Sequence, residues 1–98
     1  MTTFTLTPRA LRDIDAIAEF SLEKWGATQT EKYLEEIKAR CAWLAENPLL
    51  GRARDDIAPG YRSFRQGAHI IFYVFERESL FIVGVPHAVR DIATYFGE

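Results

Sequence analysis

The sequence predicts an α+β domain: a strand, an antiparallel helical hairpin, then a three-strand antiparallel run packed on the helices, with a short C-terminal helix. Three observations predict it. Between residues 8 and 46 the large apolar residues recur at three- and four-residue spacing, the helical period. Residues 61–85 instead carry near-continuous apolar runs broken by short turn-forming segments, as neighbouring strands do. A length of 98 residues, 48% hydrophobic and 27% charged, suits one domain over 1–98 that buries roughly two thirds of its unfolded surface.

The elements follow in order. Phe4-Thr5-Leu6 alternates apolar and polar side chains as a half-buried strand does, and Thr7-Pro8 supplies an N-cap followed by proline at the first helical position. Leu11, Ile14, Ile17, Ala18, Leu22 and Trp25 form a stripe that predicts a helix over 8–24, stopped by Gly26. Thr28-Gln29-Thr30-Glu31 reads as a capping box opening a second helix with the stripe Leu34, Ile37, Cys41, Leu44, and Asn47-Pro48 ends it. A connection of about three residues makes the pair an antiparallel hairpin. Residues 48–60, with Pro48, Gly51 and Pro59-Gly60, read as an ordered surface loop. Strands are expected at Tyr61 to Arg65, Ala68 to Phe75 and Leu80 to Val85, and Ala88 to Phe96 reads as the last helix.

Charge and chemistry narrow the function. A net charge of −2 argues against a protein that coats nucleic acid, yet residues 48–75 hold Arg52, Arg54, Arg62 and Arg65 against only Asp55 and Asp56. The lone Cys41 and a start without a basic, apolar leader read as a reduced cytoplasmic protein, and no apolar run approaches the ~20 residues that span a bilayer. His69, His87, Cys41 and the carboxylates lack the spacing of metal ligands, so no metal is expected. Nucleophile motifs and phosphate-cradling glycine loops are also missing. What remains is a set of cations with histidines, Arg52, Arg54, Arg62, Arg65, His69, His87 and Arg90, of the type that binds a phosphodiester or assists metal-free RNA cleavage. Alternation places Arg62 and Arg65 on opposite sheet faces. Phe20 and Trp43 leave their helix stripes by roughly 130° and 140°, so both are expected on the outer side of the hairpin, lining an apolar groove for a partner segment.

The series Leu6-Thr7-Pro8-x-Ala10-x-x-Asp13, Trp25-Gly26, Tyr33, Leu44-x-x-Asn47-Pro48-x-x-Gly51-Arg52 and Gly60-x-Arg62-Ser63-x-x-x-Gly67-x-His69-x-Ile71-x-Tyr73 covers nearly the whole chain. It resembles the ParE branch of the RelE/ParE toxin superfamily. That resemblance implies the same element order and the toxin of a bacterial type II toxin–antitoxin pair. It further implies a non-enzymatic inhibitor that contacts DNA gyrase, needs no cofactor, binds no specific nucleic-acid sequence alone, and forms a hetero-oligomer with a ParD-like antitoxin. Phe20 and Trp43 are the candidate antitoxin contacts. Relatives place an acidic residue and an arginine straight after the histidine matching His87, whereas this chain has His87-Ala88-Val89-Arg90-Asp91, so that arginine's role does not carry over to Arg90. The sister RelE branch implies an alternative, a ribosome-dependent mRNA endoribonuclease using Arg62, Arg65, His69 and Tyr95. A non-toxic interaction module is the third reading.

Overall fold

The structure is a computed structural model that describes residues 3–97; Met1, Thr2 and Glu98 lie outside the described residues, and with the first two lies the start of the segment expected to lack a leader. The chain runs β1 (Phe4–Leu6), α1 (Pro8–Trp25), α2 (Ala27–Glu46), β2 (Arg52–Ala53), β3 (Arg62–Gln66), β4 (His69–Glu76), β5 (Ser79–Gly84) and α3 (Ile92–Gly97). One five-stranded sheet has the order β1-β5-β4-β3-β2. The predicted antiparallel run is its centre, β3 to β5. β1 joins one edge parallel to β5, and β2 joins the other antiparallel to β3.

Thr7 governs the first turn. Its hydroxyl oxygen accepts from the Ala10 amide at 3.2 Å, capping α1, while its own amide donates to the Ile82 carbonyl at 3.1 Å and ties the helix start to β5. Gly26, at φ +84, is the one residue between α1 and α2, so the connection is tighter than the three residues expected. That tightness overturns the capping box: α2 begins at Ala27, before Thr28, and has no side-chain cap. Thr30 instead donates its hydroxyl to the Gly26 carbonyl at 2.8 Å. At the far end the Asn47 amide and side chain both donate to the Trp43 carbonyl at 2.9 Å before Pro48 ends the ladder.

The sheet's helix-facing core joins Ile17, Ile37, Cys41 and Leu44 to Ile71, Tyr73, Leu80, Ile82 and Val85. Burial pushes the Cys41 thiol up to about 12, so it is an inert core atom as its stripe position implied. The Tyr73 hydroxyl accepts from the Gly51 amide at 2.9 Å and donates to the Pro48 carbonyl at 2.7 Å, which pins the loop after α2. A bulge between Phe72 and Tyr73 shifts the pairing with β5, and Phe72 meets Phe96 of α3 at 5.1 Å.

The last helix begins later than expected. After Pro86 the chain first pairs along the start of β4, with an isolated bridge between His69 and His87 and the Ala88 amide donating to the Ala68 carbonyl at 2.7 Å. Residues committed to that pairing cannot also be helical.

Candidate functional site

The inward face of α1 differs from the predicted stripe. Ala10, Ile17 and Ser21 are buried, whereas Leu11, Leu22 and Trp25 are half exposed together with Phe20. Asp13 explains the rotation. One of its carboxylate oxygens accepts from the Val85 amide at 2.8 Å and also from the Tyr95 hydroxyl, so a polar residue holds an inward position that hydrophobic patterning assigns to the surface. The result is more apolar surface on α1 than the sequence reading expected.

Phe20 is 57% exposed and stands edge-on to Trp25 at 6.1 Å, with the Lys24 ammonium 5.5 Å from the Phe20 ring centre and 5.8 Å from that of Trp25. Phe20 borders two cavities. One, about 270 Å³, lies towards Asp13, Pro86, Arg90 and Tyr95. The other, about 250 Å³, lies towards Ser21, Trp25, Gln29 and Tyr33. His69 and His87 line both, so the two form one groove with a histidine pair at its middle.

Those histidines are 5.2 Å apart between ring centres and nearly perpendicular. The Tyr33 hydroxyl donates to the Gln66 carbonyl at 3.0 Å and lies 2.7 Å from His69 Nδ1. A phenol has one proton, so in this network Nδ1 carries the hydrogen and donates to Tyr33. Burial, with the neighbouring His87 and Arg65 adding to it against Asp13, lowers His69 to about 4. His87 Nδ1 accepts from the Val89 amide at 3.2 Å. Tyr95 is buried, and burial together with its bond to Asp13 pushes its phenol well above the ordinary tyrosine range. The Arg90 guanidinium lies 5.4 Å from the Tyr95 ring centre.

Phe20, His69, His87, Arg90 and Tyr95 are therefore brought together; Arg62, Arg65 and Trp43 line neither cavity. Arg62 donates to the Gly51 carbonyl at 2.7 Å, and Arg65 donates to the Gly67 carbonyl at 2.6 Å from three residues along β3. Trp43 corrects the expectation of a shared outer face: it is partly buried, edge-on to Phe64 of β3 at 5.2 Å, with Arg40 over both rings. The edge of the sheet covers a position that the helix wheel alone leaves outside. Sequence reasoning missed the groove roles of Trp25, Tyr33 and Asp13, although all three stood in the motif series. Asp55 and Asp56, adjacent in the loop, diverge, one accepting from the Gly60 amide and the other pairing with Arg54 at 3.0 Å. Among the described residues no group of three His, Cys, Asp or Glu side chains is placed to hold a metal ion, and no helix is long and apolar enough to cross a membrane.

A neutral His69, a buried Tyr95 and aromatic walls give this groove a largely apolar lining. Residues 4–92 match the model of the family described as the ParE toxin of the type II toxin–antitoxin system parDE. The chain belongs to the ParE toxin family. It is the toxin component of a type II toxin–antitoxin system. Toxin ParE1 of Mycobacterium tuberculosis is 36% identical over 90 residues, 91% of this chain and 92% of that one. The ParE fold is equally plain in space: the chromosomal ParDE system of P. aeruginosa superimposes with a TM-score of 0.74 at 19% identity, covering 89% of this chain and 96% of that one. A YoeB-YefM complex from Staphylococcus aureus follows with a TM-score of 0.61 at 16% identity over 89% and 97%. At such identities the two structures speak for a common fold.

Proposed function

We propose that this ParE-family toxin inhibits DNA gyrase by protein contact, without chemistry of its own, and that a ParD-like antitoxin neutralises it by laying an apolar segment along the groove. The observation that carries the antitoxin half is the exposed aromatic wall of Phe20 and Trp25 beside two joined cavities. Exposed rings of this size are costly to leave in water, and each stabilises a complex by about 1.5–3 kcal/mol once covered. The resemblance in the motif series supports gyrase as the target. The site is poorly suited to cleaving RNA. His69 at about 4 is a weak proton acceptor near neutrality, and the Tyr95 hydroxyl is already donating to Asp13. Arg62 and Arg65 hold main-chain carbonyls outside the groove.

Expression in bacteria without the antitoxin, followed by a supercoiling assay with purified gyrase and an assay of message integrity, tests the reading. Loss of supercoiling with intact messages is the expected result. Cleaved messages with unaffected gyrase would establish the endoribonuclease, and harmless expression with retained antitoxin binding would establish an interaction module.

A further inference from the structure

The helix-bearing part of the chain is acidic: residues 8–46 hold Arg9, Arg12, Lys24, Lys32, Lys38 and Arg40 against Asp13, Asp15, Glu19, Glu23, Glu31, Glu35, Glu36 and Glu46. The β2–β3 edge reverses the sign. Arg52 pairs with Ser63 across the strands, so Arg52, Ser63 and Arg65 share one face of the sheet, and Arg54 lies 5.5 Å over Phe72 beside them. The opposite face of the sheet packs on α1 and α2, so this face is turned away from the acidic helices.

The way these arginines are held is the informative part. Among the described residues the ion pair of this edge is Arg54 with Asp56, which leaves Arg52, Arg62 and Arg65 without a carboxylate within 4 Å. Arg62 and Arg65 are instead fixed by carbonyls, Gly51 for the first and Gly67 for the second. A carbonyl orients a guanidinium without cancelling its charge, and Arg65 donates through Nε, which leaves both terminal nitrogens for a two-pronged contact. Arg52 is exposed. On a protein of net charge −2, an exposed Arg52 and a carbonyl-held Arg65 on one face, neither in an ion pair among the described residues, are complementary to phosphodiesters.

We propose that Arg52 and Arg65, with Arg54 beside them, contact the backbone phosphates of duplex DNA without reading sequence. Duplex is favoured over single-stranded RNA because recognition of single strands relies on open aromatic faces. Beside these arginines Phe72 is fully buried beneath Arg54, and Tyr61 is partly buried with its ring edge-on to Phe96 at 5.7 Å. The inference stands apart from the gyrase reading, since it is tested on bare DNA with no other protein present.

The experiment is titration of a fluorescein-labelled 20-base-pair duplex with the parent chain, with Arg52→Gln/Arg65→Gln, and with Asp56→Asn, at several salt concentrations from 50 to 200 mM. Each neutralised phosphate contributes about −0.9 to the slope of log affinity against log salt. Removing two cations therefore reduces that slope by about 2 and weakens binding at 50 mM salt on the order of tenfold or more. Asp56→Asn releases Arg54 and tightens binding several-fold. Lys32→Gln, on the acidic hairpin, changes neither slope nor affinity by as much. Thermal melts of each variant confirm an intact fold. An arginine variant that binds like the parent, a parent that does not bind at 50 mM salt, or preferential binding of a single-stranded RNA of equal length would each overturn the proposal.

Discussion

Asp13 keeps its carboxylate against the core because two donors converge on one oxygen, the Val85 amide and the Tyr95 hydroxyl. Tyr95→Phe removes one donor from a charged acceptor and is expected to lower stability by about 1.5–3 kcal/mol. A fall in the urea midpoint with an unchanged slope would show it. His69 gives a pH test. Its folded value of about 4 lies below the ordinary 6.5, so above pH 6.5 the histidine is neutral in both states and its contribution is fully present. As pH falls from 6.5 towards 4 the unfolded chain binds a proton that the folded chain refuses, and stability declines through that window. In His69→Gln, thermal melts between pH 4 and 7 are expected to lose that part of the slope.

The β4–β5 connection is a two-residue turn in which Arg77 at φ 50 and Glu78 at φ 63 both occupy the left-handed region. That geometry matches the right-handed twist of the paired strands but suits Asn-Gly far better than Arg-Glu. The double variant Arg77→Asn/Glu78→Gly is expected to raise stability by about 0.5–1 kcal/mol, read as a higher urea midpoint. This turn also shows where the sequence was legible. Long periodic segments fixed both helices and the three central strands to within a few residues, since burial imposes its period on many side chains at once. Features that rest on one or two residues were not legible. β2 is two residues long and carries no period. The displaced start of α3 follows from the pairing of His87 with His69 across the sheet. The rotation of α1 turns on Asp13, whose partners lie 72 and 82 residues away. Local pattern could not reveal those partners, and so could not show that Trp25 leaves the core for the groove.

Across the whole molecule, the groove and the β3 edge separate two aromatic residues that the sequence placed together. Phe20→Ala is expected to weaken antitoxin binding by roughly 10- to 100-fold with little change in melting temperature, because the ring is exposed in the free toxin. Trp43→Ala is expected to lower the melting temperature by several degrees, since it removes a ring packed on Phe64 and beneath Arg40. Calorimetric titration beside a thermal scan distinguishes the two; equal effects of both variants on both readouts would refute this division. The parallel pairing of β1 with β5 has a consequence for how the protein comes into being. Phe4 pairs with Leu80 and Leu6 with Ile82, and Asp13 reaches its second donor only at Tyr95. During synthesis the first strand therefore emerges with no neighbour and waits until residues 79–84 have been made. Loop closure over such separations slows folding, and the groove takes shape only once residues 85–95 are in place. The groove therefore cannot be assembled from the hairpin alone: α1 and α2 meet one of its walls only after residues 85–95 have closed back on Asp13.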